Sequence, residues 1–485
     1  MKKKIIGTVV ALIFVCWLPA SAYASGYRPE TSNEVEYIII RGEKYSTELT
    51  ELFLEFRLGL TDEDIEPLRH MHNLETLLLE SHNITDISPI AGLSNLQFLE
   101  LQLPATIDIE PIAGLTELVL LRILQCNVTD LSHIRGLTNL IVLDLWGNGT
   151  IDIEILSRLH NLRILGFEGY DVDDIAPLAV LTNLEVLRLT NSQISDVSPL
   201  SSLSKLRGLR LRNSYIEDIS PLASLTSLSW LELDNNLISD ISPLAGLSDL
   251  TSLTLNNNRV IDISPISNFA YLEALLIRGN QIIDISPLSS LTELTYLELG
   301  SNQIFDISPL SDHVNLTVLS LFDNQIIDIA PLSGLVNLSR LYLGGNQIID
   351  ISPLAGMADL SMLYIGHNQI GDISPLSGLV SLILLDLSQN NELSDITPLS
   401  NLVYLSNLWL SGNSITDISP LAGLSRLISL DLSDNQISDI SPLSGHEEVI
   451  RLHLEGNPIE DWTPLEHVRW FNQTVDGVIV WGEIE

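Results

Sequence analysis

Histidines, one recurring aspartate and Cys126 are the residues of this chain whose types and spacing could do chemistry. His70-x-His72 with His82 comes nearest to a metal cluster. It lacks the paired ligand spacing of zinc sites and reads as a pair of surface loop histidines. His313 and His446 fall where leucine usually stands, so they read as core histidines or as locally frayed turns. Aspartate recurs in one position nineteen times, from Asp64, Asp86 and Asp108 to Asp439 and Asp461. A calcium ion takes about six to eight oxygens, and one carboxylate per step supplies too few. An aspartate accepting the backbone N–H two residues on, an Asx turn, fits the position better. No glycine-rich phosphate loop, G-x-S-x-G or H-E-x-x-H is present. The residues therefore point to no cofactor, no metal and no enzyme.

The elements that carry these residues are set by a repeat. Proline falls at 67, 89 and 111 and from 177 to 375 at multiples of 22, then resumes after one extra residue at 398, 420, 442 and 464. His133 and Ile155 fill the two missing phases, giving 19 units in which 17 of the 21 prolines are used. In the unit Asp240 to Asn258, Leu250, Leu253 and Leu255 have the L-x-x-L-x-L spacing of a short strand buried on one face. Ser242 suits a helix N-cap and Pro243 the first helical position, where no N–H is needed. Leu244 and Leu247 then point inward. No unit closes a core alone, so each must stack on its neighbours.

On these residues the chain resembles the leucine-rich repeat, specifically the 22-residue type of the internalin family of secreted bacterial proteins. The resemblance implies an α/β solenoid, a horseshoe with a parallel β-sheet on the concave face and 3-10 or short helical turns on the convex face. At about 4.8 Å per strand the sheet would be about 85 Å long. Asn at 236, 258, 280, 302, 324, 346, 368, 390, 413, 435 and 457 would pair backbone groups left open at the strand end. Earlier positions are looser, with His82, Pro104, Cys126, Asn148, Tyr170, Ser192 and Ser214. Cys is a known substitute in this family, so the resemblance makes Cys126 a buried ladder residue. The N-terminal half should be less regular. The extra residue near Asn391-Glu392 should bulge a loop without breaking the sheet. The domains expected are a signal peptide at 1–24, an N-terminal cap at 25–48, the solenoid at 49–465 and a C-terminal cap at 466–485. Internalin wall attachment and invasion are not carried over, because neither immunoglobulin-like modules nor a sorting signal is found.

The 485 residues carry 23 Lys+Arg against 62 Asp+Glu, a net charge of −39. Phosphate affinity comes from Lys and Arg, so nucleic-acid and anionic-membrane ligands are not expected. The 45% hydrophobic content excludes a disordered acidic tail. A basic start at Met1–Lys4, an apolar run to Leu18 and Ala22-Tyr23-Ala24 read as an export signal. The run is too short to favour a membrane span. The expected product is a secreted, extracellular monomer with Cys126 as its only cysteine.

Function should then sit on the sheet. Its outward positions hold Phe98, Trp146, Trp230, Tyr296, Phe322, Tyr342, Tyr364 and Trp409, rings with no core to enter. Tyr342, Tyr364 and Trp409 share one column, flanked by Phe322 and Met362. Exposed aromatic clusters are enriched at binding hot spots, though rings can also simply brace a sheet. Arg188, Arg210 and Arg212 form a second patch, weighed against a self-neutralising network with Glu232 and Asp234. The reading is a binding protein for a protein ligand, with Tyr296 to Trp409 as the main surface. The alternatives are wall or host glycan binding, a role like that of the phosphatase-regulatory repeats, and a purely structural role.

Overall fold

The computed structural model describes residues 36–55, 59–103, 106–446 and 448–465, and the backbone of two strands at 471–475 and 478–482. The expected signal peptide at 1–24, Pro104 and Trp470 lie outside the described residues, as does the side chain of Trp481.

Nineteen parallel strands, from Glu51–Leu54 to Arg451–His453, pair in chain order into one open sheet. Each pairs with the next in register, so one repeat position makes one column, as in Gly208↔Trp230 and Leu209↔Leu231. The leucines between outward positions are buried, for example Leu231, Leu253 and Leu275. Below the sheet, Leu244, Leu247 and Leu250 of one unit are also fully buried. At about 1.5–3 kcal/mol for each buried aliphatic side chain, stacking supplies what no unit has alone.

The turns opposite the sheet are short 3-10 segments with proline in the first two positions, such as Ser242–Gly246. Here the expectation for Ser242 changes. The cap position is Ile241, whose side chain bonds nothing. Asp240 does the capping instead: its Oδ1 accepts the N–H of Ser242 at 2.8 Å. Asp86, Asp218, Asp350 and Asp461 repeat the bond at 2.7, 2.8, 2.8 and 3.0 Å. That bond, formed first from backbone and then from the Ser198 or Ser352 hydroxyl, holds Asp196 and Asp350 below the usual carboxylate range. Asp64 differs: it accepts the N–H of Thr61 and pairs with Arg41 at 2.8 Å, capping a short helix at Asp62–Ile65.

The asparagines form a buried ladder. Asn324 donates to the carbonyls of Leu299, Leu321 and Phe322, and its Oδ1 accepts the N–H of Ile304 in the preceding unit at 3.0 Å. Strands shorten to three residues from Trp230–Glu232 onward, where this ladder begins at Asn236. The extra residue leaves the sheet intact, since Leu385 still pairs with Leu408. Its effect is local: Asn413 accepts the N–H of Asn390 rather than a loop amide.

The N-terminal half is less regular, as its sequence implies. One strand runs Val142–Thr150 with a register shift between Trp146 and Gly149. Asn148 is exposed there and leaves the ladder. The phenol of Tyr170 replaces it, donating to the Cys126 carbonyl at 3.0 Å and accepting the N–H of Val128 at 2.8 Å. Gly147 makes the room, because a Cβ there would stand 2.5 Å from the Tyr170 oxygen. Cys126 is buried, and burial pushes its thiol up to about 12. His82 does not take the ladder position. Ser81 does, buried and donating to the Leu60 carbonyl at 2.6 Å, while His82 is exposed.

Before the first unit, Tyr37–Ile40 pairs antiparallel with Glu43–Ser46. Arg41 and Gly42 turn the hairpin with positive φ at both positions, and Ile38 and Ile40 join the solenoid core. At the other end Phe471–Val475 and Val478–Gly482 form an antiparallel pair. Among the described residues no helix is long and apolar enough to cross a membrane.

Candidate recognition surface

Three outward columns cross the sheet. The middle one carries Tyr342, Tyr364, Asp386 and Trp409 in successive strands. In a parallel sheet the side chains of one column stand side by side, so neighbouring rings meet face to face. Tyr342 and Tyr364 stack with centroids 5.0 Å apart and planes at 10°. Tyr364 and Trp409 stack at 6.1 Å and 27°, across the intervening unit. That closure is possible because Asp386 turns aside: its Oδ1 accepts the Ser388 N–H at 2.9 Å and the Ser388 hydroxyl. Gly344 and Gly366 follow the two tyrosines along their strands and leave that flank of the ladder without side chains.

The other aromatic candidates group around this ladder. Tyr296 donates its hydroxyl to Glu298 at 2.6 Å. Burial, that bond, the Glu298 charge and nearby Tyr342 push its phenol up to about 12. Met362 and Arg340 occupy the first column beside Tyr364 and Tyr342. Phe322 lies over Gly300, where a Cβ would come within 2.4 Å of the ring, and under the Arg278 guanidinium at 4.9 Å. Tyr296, Phe322 and Met362 are half-buried rather than free-standing, while Arg340 is exposed.

Trp230 does not belong to this group. Its indole lies flat on Gly208, 2.0 Å from where a Cβ would stand. It closes one end of an apolar strip formed by Leu120, Val142, Ile164 and Val186, with Phe98 at the other end. This strip is on the sheet face, separate from the core, and sequence reasoning missed it. Leucine, isoleucine and valine in a leucine-rich unit read as interior. The signal was positional, since these residues stand immediately before the first core leucine of their strand, where other units carry Ser252 or Arg340.

The arginine patch resolves into ion pairs. Arg210 bridges Glu168 at 3.1 Å and Glu232 in the next strand. Arg212 pairs with Glu232 at 2.9 Å and Asp234 at 2.8 Å. Arg188 makes no ion pair among the described residues and stands beside Arg210 in its column. Two of the three candidate arginines are thus committed to neighbours, which leaves them little free charge for a partner.

His70, His72 and His82 are exposed, and among the described residues no three His, Cys, Asp or Glu side chains converge to hold a metal. His313 is fully buried rather than frayed, and neither ring nitrogen has a hydrogen-bond partner among the described residues. His446 is buried with Nε2 at 3.1 Å from the Leu421 carbonyl.

An open parallel sheet of in-register 22-residue units, backed by 3-10 turns and laced by an asparagine ladder, defines a leucine-rich-repeat protein. The family of leucine-rich repeats (two copies) matches seven stretches between 182 and 467, more than half of the chain. Within it the chain belongs to the internalin type. It is 37% identical to internalin InlF of Listeria monocytogenes, covering 62% of this chain and 83% of that one, with a TM-score of 0.53. Two more distant structures share the fold alone. A leucine-rich-repeat protein of Leptospira interrogans is 22% identical over 79% of this chain and 98% of its own, with a TM-score of 0.63. The plant peptide hormone receptor RGFR1, solved in complex with RGF2, is 22% identical over 88% and 72%, with a TM-score of 0.65. Comparison with curated proteins finds no match.

Proposed function

We propose that this chain is an exported, extracellular recognition protein that binds a protein ligand on the concave face of its sheet, as a monomer, with Tyr342, Tyr364 and Trp409 as the energetic centre. The observation that carries this reading is the three-ring stack. Tyr296, Phe322 and Met362 form its surround, and Arg188 supplies one uncommitted cation. The rings are already ordered, so binding loses little side-chain entropy on them. The likeness to InlF and to a receptor solved with its peptide supports the same class of function.

The stack also favours protein over glycan. A sugar packs its C–H face on an open ring face, and both faces of Tyr364 are covered by its neighbours. What the ladder offers is ring edges and hydroxyls, which suit side chains and backbone of a protein surface. The test is affinity capture with the mature chain, followed by the Tyr342→Ala, Tyr364→Ala and Trp409→Ala triple variant against the captured protein. At about 2 kcal/mol or more per hot-spot ring, affinity should fall by at least about 100-fold with the melting temperature nearly unchanged. Unchanged affinity, or selective binding on a glycan array, refutes the assignment.

A further inference from the structure

A second surface lies away from the sheet. Ile261, Ile283, Phe305, Ile327 and Ile349 hold one position of five successive units, just before the turn aspartate. They are 56, 46, 60, 59 and 58% exposed. They are not spilling from the core, because the residue before each, Val260, Ile282, Ile304, Ile326 and Ile348, is fully buried. In the flanking units the position is polar or glycine: Asp173, Ser195, Glu217 and Ser239 before, Gly371, Ser394, Thr416, Ser438 and Glu460 after; Ile107 and Ile151, which hold it in the irregular N-terminal units, are buried. The five rows are locked in register by backbone bonds from Gln281, Gln303, Gln325 and Gln347 to the buried residues of the preceding unit, each 2.9 Å. A run of large apolar side chains confined to adjacent units of a charged protein marks an interaction site.

Beside the stripe runs a parallel row of exposed carboxylates, Asp262, Asp284, Asp306, Asp328 and Asp350. Each is bonded to its own turn amide and none is in an ion pair among the described residues. Ile261, Asp262, Ile283 and Asp284 line a shallow cleft between two rows. An apolar row beside an acidic row calls for a partner with apolar and basic rows side by side. A second copy of this chain is the wrong sign, with its net charge of −39 and the same aspartates. The step between rows selects the shape. Units are about 4.8 Å apart at the sheet, and an α-helix advances about 5.4 Å per turn, so a helix running along the solenoid meets one row per turn. An extended strand repeats a face about every 6.6 Å and falls out of step. Five rows span about 20 Å, or about 13 residues of helix.

We infer that Ile261 to Ile349 form a docking stripe for a cationic amphipathic helix of a partner protein, independent of the sheet-face surface. The probe is a fluorescein-labelled 15-residue peptide of Leu and Lys with Leu at helical i, i+3, i+4 spacing, titrated into the full chain by anisotropy. The decisive variant is Ile283→Ser with Phe305→Ser and Ile327→Ser. Serine stands natively in this position at Ser195, Ser239 and Ser438, so the fold should be kept, and the charge is unchanged. The peptide should bind in a salt-sensitive way and at least about tenfold more weakly to the serine variant. The variant lacking Tyr342, Tyr364 and Trp409 should bind it like the parent. Equal affinity in the serine variant, equal binding of a Leu/Glu peptide, or a parent dimer in sedimentation that the serine variant abolishes would each overturn the inference.

Discussion

Replacing Asn324 by Ala tests how the solenoid is held together between units. The amide donates at 3.0 Å to Leu299 and Leu321 and at 3.2 Å to Phe322, and accepts from Ile304 at 3.0 Å. Asn324 is only 8% exposed, so alanine leaves the Ile304 N–H and at least the Leu299 carbonyl without a partner in a site water reaches poorly. A buried polar group left unpaired costs about 1–3 kcal/mol. Two such groups give a loss of about 2–6 kcal/mol, against little lost packing. Because stability in a repeat array is a sum of unit and neighbour terms, the loss should be local first. Amide exchange read by mass spectrometry should show Ile304 and the turn around Asn324 opening faster, while the Ser429–Asp431 strand keeps its protection. Urea unfolding should shift to a lower midpoint. A variant with the Ile304 amide still protected and a loss below about 1 kcal/mol would refute the idea that the asparagine joins the units.

Three further outcomes follow from the same geometry. Burial, outweighing the nearby Leu288 and Leu310 carbonyls, holds His313 below its usual pKa, so folding favours its neutral form. Stability should be complete above about pH 6.5 and fall below it by at most about 1.4 kcal/mol per pH unit; His313→Leu should reduce that acid sensitivity in melts between pH 7 and 5. Gly208→Val should eject the Trp230 indole, which lies 2.0 Å from the added Cβ, and shift tryptophan emission to the red while the far-ultraviolet spectrum stays constant. Calcium and EDTA should give the same melting temperature, because the Asp240 type of carboxylate is already used by its own turn; a calcium-dependent rise would show that the column holds ions.

The repeat, the one-sided strands and the turn aspartates were legible because each is a local rule restated many times. A proline at one phase, a leucine at another and an aspartate before the turn need no knowledge of long-range contacts. The column shared by Tyr342, Tyr364 and Trp409 was legible for the same reason, since register follows from the period. What escaped depended on side chains reaching across units. Nothing in the spacing says that Asp386 folds onto Ser388 and lets Tyr364 meet Trp409. Nor does it say that Tyr170 reaches back to Cys126 and stands in for an asparagine. Ser81 rather than His82 takes the ladder position, one residue off the period that the later units keep. The Leu120 to Val186 strip and the Ile261 to Ile349 stripe were hidden by composition: apolar residues among many apolar residues carry no contrast until their exposure is known.

The stacked rings are the surface proposed to meet the partner. Hydroxyl-radical footprinting of the full chain, free and saturated with its captured protein, reads these side chains directly. Tyr342, Tyr364 and Trp409 should lose reactivity on binding, with Tyr296 and Phe322 at the margin, while Tyr215 and Tyr271, exposed away from the ladder, should not change. Unchanged reactivity of the three rings, with protection appearing elsewhere, would contradict it.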